Sequence, residues 1–129
     1  MDTGAIRGRL VLGAAVLAAS GALALVAPGT AQAASDSCAG RQVRTLPFAT
    51  GTVHVYKAGG YVCAITAADT PGSRRQMSVS VQARGNRPVV DQGDYTYRAG
   101  PVTVHAGHRC VWVRGAVGSA TVSSGWILC

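Results

Sequence analysis

The three histidines are the residues best suited to metal chemistry, because neutral imidazole nitrogens are common metal ligands. His105 and His108 have the H-x-x-H spacing of a metal-binding pair, and His54 supplies a third nitrogen if its strand lies beside theirs. That spacing aligns ligands on a helix, whereas Gly107 favours a turn in which the two rings diverge. We expect three half-exposed surface histidines and no metal or other cofactor. A weak hydrolase or metal-dependent enzyme that uses all three histidines is the alternative.

Carboxylates and hydroxyls offer little for acid–base or nucleophilic catalysis. The 129-residue sequence contains no glutamate, so a glycosidase-like carboxylate pair would have to come from scattered aspartates such as Asp91 and Asp94. These two residues flank Gly93 and have the composition of a turn. No serine lies in a G-x-S-x-G nucleophile sequence. The sequence therefore predicts no catalytic residues and a non-enzymatic protein.

Arginine dominates the positive charge, and four arginines fall in two predicted loops. Arg74 and Arg75 lie in the first loop, and Arg84 and Arg87 lie in the second. Guanidinium groups gathered on one face bind carboxylates and phosphates, so these four residues are candidate anion-binding residues. Three arginines at or near predicted strand ends belong to the same hypothetical face: Arg98, Arg109 and Arg114. The alternative is a basic, solvated surface that only keeps the protein soluble.

Anionic polymers of the cell wall or spore surface are the partners that best fit this charge. Nucleic acid is not expected, because export removes the usual target and the aromatic residues do not alternate with the arginines as in a base-stacking surface. Sugar binding requires an exposed pair of rings on one sheet. We expect most of the aromatic residues to lie in the core instead: Phe48, Tyr56, Tyr61, Tyr95, Tyr97, Trp112 and Trp126.

The first 33 residues have the features of a secretory signal peptide. Arg7 and Arg9 precede an apolar run over residues 10–27, and Ala31 and Ala33 provide the small residues that signal peptidase requires. An uncleaved membrane anchor is the alternative, but alanine and glycine dominate the run. Cleavage after residue 33 lowers the net charge from +7 to +6 and leaves a single exported domain, residues 34–129, with no membrane attachment.

All four cysteines, Cys38, Cys63, Cys110 and Cys129, lie after the predicted cleavage point. An even number of cysteines in a small exported domain indicates two disulfides, and three pairings are possible. We favour Cys38 with Cys63 and Cys110 with Cys129, because each bridge then closes a local loop. A zinc site is not expected, because no two cysteines have C-x-x-C spacing.

The composition after Ala33 predicts an all-β fold. Fourteen valines and eight threonines stand against two leucines and one lysine, which leaves few strong helix formers. We expect a small antiparallel sandwich or barrel of about seven strands, with hairpin turns at 58–60, 106–108 and 115–118. The predicted strands are 52–57, 61–67, 77–83, 94–98, 102–106, 109–114 and 120–123.

The order of these features resembles the spore-associated protein A family of small exported actinobacterial proteins. An Ala99-Gly100-Pro101-Val102 turn shortly before a Cys-Val pair is the most specific part of the resemblance. The chain departs from the family pattern at Arg98 and at Val113-Arg114, where the family commonly has an aromatic residue and glycines. The other matching residues are Cys38, Val53 to Tyr56, Cys63 to Thr66, Met77, Asp91, Gly93, Tyr97, Cys110 to Trp112, Gly118 and Cys129.

The resemblance implies an exported protein associated with spores or the cell surface, with no established enzymatic activity. The composition and the cysteines lead to the same expectation of a disulfide-stabilised, non-enzymatic exported domain. A secreted protein-binding module such as a protease inhibitor is a further alternative. Such a module would use an exposed loop at residues 68–75, extended and braced by a disulfide.

Overall fold

The protein is an all-β domain in a computed structural model that describes residues 37–129. These residues belong to one compact unit. The predicted signal peptide, residues 1–33, lies outside the described residues. None of the described segments is an apolar helix of membrane-spanning length. The strands are β1 (Arg41–Phe48), β2 (Gly51–Ala58), β3 (Tyr61–Ala68), β4 (Arg75–Ala83), β5 (Val89–Tyr95), β6 (Arg98–His105), β7 (Val111–Val117) and β8 (Ala120–Ile127).

The eight strands form two four-stranded antiparallel sheets that enclose a valine-rich core. The first sheet has the order β1-β2-β3-β6, and the second has the order β5-β4-β7-β8. The strand predicted at residues 77–83 is confirmed, and its side chains alternate between two faces, since Met77, Val79 and Val81 are fully buried while Ser78 and Ser80 lie on the opposite face. A buried valine side chain contributes about 1.5–3 kcal/mol, so the buried valines of the core stabilise the sandwich.

One strand is absent from the prediction, and one predicted strand is misplaced. β1 was missed because its sequence, RQVRTLPF, is largely polar, and Pro47 is tolerated only because β1 is an edge strand. The strand expected at 94–98 is the junction of two strands, since β5 ends at Tyr95 and β6 begins at Arg98. The total is therefore eight strands rather than seven.

The predicted hairpins have three different outcomes. The turn at 58–60 is confirmed, and it joins β2 to β3. The segment 106–108 is not a hairpin, because β6 pairs with β3 in the first sheet and β7 pairs with β4 in the second. The chain crosses between the sheets there. The third hairpin does join β7 to β8, but its turn is shorter than predicted and contains only Gly118 and Ser119.

Two glycines expected in turns lie within strands instead. Gly115 is buried in β7, and a Cβ atom there would overlap Val53 and lie 2.6 Å from the Thr66 hydroxyl oxygen. The close approach of the two sheets therefore requires glycine at this position. Gly100 lies in β6, where its φ of 98° favours glycine, and the Gly100–Pro101 peptide bond is cis.

Both favoured disulfides are confirmed. Cys38 is bonded to Cys63, and Cys110 is bonded to Cys129. The first bridge attaches the segment before β1 to β3, and the second attaches the end of the chain after β8 to the segment before β7. No described cysteine is free.

Candidate functional site

The two ends of the sandwich differ in charge. One end, called here the basic end, is formed by the connections 59–60, 84–88 and 106–110. The other, called here the mixed end, is formed by the connections 49–50, 69–74, 96–97 and 118–119. Backbone hydrogen bonds hold each set together, for example from Ala106 N to Gly60 O at 2.8 Å and from Gly72 N to Thr96 O at 2.9 Å.

The four arginines predicted to bind anions do not form one face. Arg74 and Arg75 precede or begin β4 at the mixed end, whereas Arg84 and Arg87 follow β4 at the basic end. Because a strand rises about 3.3 Å per residue, the two pairs lie roughly 30 Å apart. The hypothesis of a single four-arginine surface is therefore wrong. Strand β4 separates the two pairs, because they lie at its opposite ends.

The basic end gathers cations from both sheets. Arg41 at the start of β1 pairs with Lys57 near the end of β2, and Arg84, Arg87 and Arg109 come from the adjoining connections. The aspartates among residues 37–129 lie elsewhere, at Asp69 in the mixed end and at Asp91 and Asp94 in β5. Within the described part of the chain, no carboxylate side chain lies in the connections of the basic end.

Arg109 holds the basic end together rather than lying free on its surface. Its guanidinium group donates three hydrogen bonds to backbone oxygens: from Nη2 to His105 at 3.0 Å, from Nε to Ala106 at 3.1 Å and from Nη1 to Arg84 at 3.2 Å. The planar fork of arginine suits such multiple contacts. Arg109 thereby joins the connection between the sheets to the loop that follows β4, and it positions Arg84.

Two tryptophans and two arginines form a cluster on the outer face of the second sheet. Trp112 and Trp126 are register partners in β7 and β8, and their rings meet edge to face at 5.2 Å. Arg84 lies over the Trp126 ring at 5.1 Å, and Arg114 lies over the Trp112 ring at 5.3 Å. The indole Nε1 of Trp112 donates a 2.7 Å hydrogen bond to the Ser123 hydroxyl.

This cluster, called here the Arg–Trp cluster, was not predicted as a site. Trp112 and Arg114 share one face of β7 by the two-residue period of a strand, so the sequence contained part of the signal. The pairing with Trp126 depends on the β7–β8 register, which shifts by one residue between Trp112 and Arg114. Only one ring of this pair is exposed, since Trp126 is 36% exposed whereas Trp112 is half-buried, so the exposed ring pair expected of a sugar-binding sheet is only partly formed.

A shallow groove of about 430 Å³ extends from Arg114 across the same outer face. Its lining combines hydroxyl groups and one cation with apolar side chains: Ser78, Ser80, Thr121, Ser123, Arg114, Val90, Ala116 and Val122. Apolar atoms form the larger part of its exposed surface. Hydroxyl and guanidinium donors in this arrangement can bind a polar ligand that also contacts the indole rings.

A second hollow, of about 350 Å³, lies at the mixed end between Tyr95, Tyr97, Arg98 and Gly100. Two of its lining residues bind the neighbouring Asp91 carboxylate, which accepts hydrogen bonds from the Tyr95 hydroxyl at 2.6 Å and from Gly100 N at 2.7 Å. The hydrogen bond to Asp91 is the main reason that the pKa of Tyr95 is raised above its ordinary value, with burial and the negative charge of Asp91 contributing further.

The residues considered for catalysis are kept apart by strand geometry. Asp91 and Asp94 lie three residues apart in β5, so they lie on opposite faces of the strand, and Asp91 is occupied in joining β5 to β6. His54 pairs with Ile65, whereas His105 pairs with Tyr61, about 13 Å away along β3. Within residues 37–129, no group of three or more His, Cys, Asp or Glu side chains could hold a metal ion.

His105 and His108 also differ in their surroundings. The His105 ring makes an edge-to-face contact with Tyr61 at 4.9 Å, while His108 lies exposed in the connection to β7. His54 is half-buried on the outer face of the first sheet, and its Nδ1 has no hydrogen-bond partner. Their positions in different elements explain why the H-x-x-H spacing produces no common site.

The loop expected to serve an inhibitor lies at the mixed end, away from both disulfides. Residues 69–74 are exposed, and the loop is held by hydrogen bonds from Gly72 N to Thr96 O and from the Arg75 guanidinium to Thr70 O. Neither bridge, Cys38–Cys63 or Cys110–Cys129, contains a residue of this loop. The disulfide-braced loop that would favour an inhibitor is therefore not formed by these residues.

Known proteins give no further guide to this site. Comparison of the chain with family models, with curated proteins and with solved structures found no match.

Proposed function

We propose that this chain is an exported, non-enzymatic protein of the spore or cell surface, and that anionic wall polymers retain it through the basic end. The observation that carries the proposal is the gathering of Arg41, Lys57, Arg84, Arg87 and Arg109 at one end, where the described connections contain no carboxylate side chain. The two disulfides support an oxidising, extracellular environment. The resemblance to the spore-associated protein A family motivates the choice of surface.

Retention of this kind depends on several weak contacts acting together. An exposed ion pair contributes about 0–1 kcal/mol, so a single arginine cannot hold a protein on a wall. A repeating polyanion contacts several cations of the basic end at once and gains from their combined field. Salt screens such contacts, since the Debye length falls from about 8 Å at physiological ionic strength to about 3 Å at 1 M.

A pair of charge-matched double variants tests this proposal. Replacing Arg41 and Arg87 with glutamine removes two exposed cations from the basic end, and replacing Arg74 and Arg75 removes two from the mixed end. Both variants lower the net charge by two. We expect the Arg41→Gln/Arg87→Gln variant to bind purified walls and spores roughly 5- to 30-fold more weakly at low salt, the effect of about 1–2 kcal/mol.

The control variant, Arg74→Gln/Arg75→Gln, should bind within about twofold of the unmodified protein. Molar salt should elute all three proteins without detergent. Equal weakening of both variants would show that total charge, and not the basic end, governs retention. Binding that survives molar salt in every variant would contradict the electrostatic proposal.

A further inference from the structure

We propose that the Arg–Trp cluster and the adjoining groove bind an acidic polysaccharide, that is, a polymer of sugar rings that carry carboxylate or phosphate groups. This inference rests on the proposed function and specifies the chemistry of the polyanion. It adds a requirement for sugar rings that charge alone does not impose. The surface involved is the outer face of the second sheet, next to the basic end.

The composition of this face is that expected for contact with sugar hydroxyls. Register places Gln76, Ser78, Ser80 and Gln82 of β4 on the outer face, beside the small side chain of Ala116 in β7. Amides and hydroxyls both donate and accept hydrogen bonds, as sugar hydroxyls do. The low profile of serine and alanine leaves the groove open between Arg114 and the edge strand β5.

The exposed part of the Trp126 ring supplies apolar surface for the C–H face of a sugar ring. Trp126 is held edge to face against Trp112, and the hydrogen bond from Trp112 to Ser123 fixes the second ring. A preorganised ring loses little conformational entropy when a ligand binds. The partial exposure of Trp126 keeps one aromatic surface accessible beside the groove.

The two arginines of the cluster favour a ligand that carries acidic groups. Arg84 and Arg114 are stacked on the two tryptophans, which restricts each guanidinium while leaving in-plane N–H groups that suit a carboxylate or phosphate. Arg114 is the register partner of Ser80, four residues before Arg84, so the backbones of the two arginines are about 13 Å apart along the sheet. Their guanidinium groups lie over two rings in mutual contact and therefore act on one ligand.

The distribution of negative charge on the same face supports an acidic ligand. Asp94 is the outward-facing aspartate of β5, and its register partner is Gln76, towards the mixed end. The half of the face that carries Arg84 and Arg114 lies at the opposite side, continuous with the basic end. A polyanion on this face is therefore attracted towards the Arg–Trp cluster.

The experiment compares four polymers by titration of the exported protein at fixed ionic strength: polygalacturonate, phosphomannan, inorganic polyphosphate and neutral dextran. Polygalacturonate and phosphomannan separate a carboxylate source from a phosphate source on sugar rings. We expect at least one of them to bind more tightly than polyphosphate of equal charge concentration. Binding should change the tryptophan fluorescence, because Trp126 contacts the ligand.

The Trp126→Ala variant should lose about three- to tenfold in affinity for the preferred acidic polysaccharide, in line with the loss of one aromatic contact, and should bind polyphosphate unchanged. Trp126→Phe keeps a ring and should recover part of the loss. Ser80→Gln places a longer side chain in the groove without entering the core, and it should weaken polysaccharide binding even if Trp126→Ala does not fold.

The variants also separate this inference from the proposed function. Arg41→Gln/Arg87→Gln should weaken the acidic polysaccharide and polyphosphate alike, since its effect is purely electrostatic. If polyphosphate binds as well as both acidic polysaccharides, and Trp126→Ala and Ser80→Gln change neither, the sugar-ring requirement is wrong while polyanion retention stands. If the double variant binds every polyanion as the unmodified protein does, the proposed function is wrong.

Discussion

The two ends of the sandwich are fastened by side chains of opposite charge. At the basic end, the Arg109 cation donates hydrogen bonds to three backbone oxygens and joins the connection between the sheets to the loop after β4. From the middle of β5 in the second sheet, the Asp91 carboxylate accepts hydrogen bonds from Tyr95 and Gly100 nearer the mixed end and joins β5 to β6. Both are charge-assisted contacts, which are stronger than hydrogen bonds between neutral groups.

Each of these side chains stabilises the fold and, through its charge, also changes the electrostatic potential around it. An arginine that satisfies backbone oxygens adds positive charge to the basic end, whereas an aspartate that satisfies donors offsets the arginines of the other half. The disulfides are also distributed unequally, because Cys110 lies in a connection of the basic end and Cys63 lies three residues after the 59–60 turn. The end proposed to bind polymers is therefore also the more heavily braced.

Removal of a disulfide should have the largest effect on this comparison. Replacing Cys110 and Cys129 with serine should lower the free energy of unfolding by about 2–4 kcal/mol, because the bridge closes a loop with a sequence separation of 19 residues. Chemical denaturation measures the loss. Hydrogen exchange should increase first in β8 and at the basic end, while the mixed end keeps its protection.

Mass spectrometry of the exported protein provides the control, since two intact bridges correspond to the loss of four hydrogens. Free thiols in freshly secreted protein would contradict the disulfide framework. Equal hydrogen exchange at both ends of the variant would contradict the proposal that the disulfides stabilise the basic end more than the mixed end.

Replacement of Arg109 should have the next largest effect. Arg109→Gln should lower the free energy of unfolding by about 1–3 kcal/mol, because up to three backbone oxygens lose a charged donor. Arg109→Lys keeps the charge but not the planar fork, so it should recover only part of the loss. The melting temperatures of the two variants distinguish the contribution of the planar guanidinium geometry from that of the positive charge. Full recovery by lysine would show that charge alone fastens this end.

The smallest effect should come from ionisation of Tyr95. Its hydrogen bond to Asp91 raises its pKa above the ordinary value of 10.0, which favours the protonated form in the folded protein. This contribution to stability is fully present below about pH 10 and is lost as the pH rises through the folded-state pKa. Melting temperatures measured from pH 8 to pH 12 should therefore show an alkaline decline that Tyr95→Phe reduces.

Tyr97→Phe is the matched control, because Tyr97 is exposed and lies two residues further along the chain. It should reproduce the pH profile of the unmodified protein. An alkaline decline that is identical in all three proteins would show that the Tyr95–Asp91 contact does not contribute.

Local pattern was sufficient to predict much of the fold. The two-residue alternation of β4 and the abundance of valine and threonine predicted a half-buried strand in an antiparallel β-protein, because a strand places successive side chains on opposite faces whatever its partners are. The disulfide pairing was also predicted from the short loops that each bridge closes. Two edge strands, β1 and β5, were harder to predict from the sequence, since both are half-polar and each pairs with only one strand.

The candidate site depended on tertiary structure. The sequence placed four arginines in two loops, but the length of β4 separates those loops by roughly 30 Å, and Gly115 proved to be a point of contact between sheets rather than a turn. The Arg–Trp cluster exists because a one-residue register shift between β7 and β8 leaves Trp112 opposite Trp126. Residue types and periodicity therefore determined which faces are buried, whereas pairing register and sheet order, which involve residues distant in sequence, decided which charged and aromatic side chains meet.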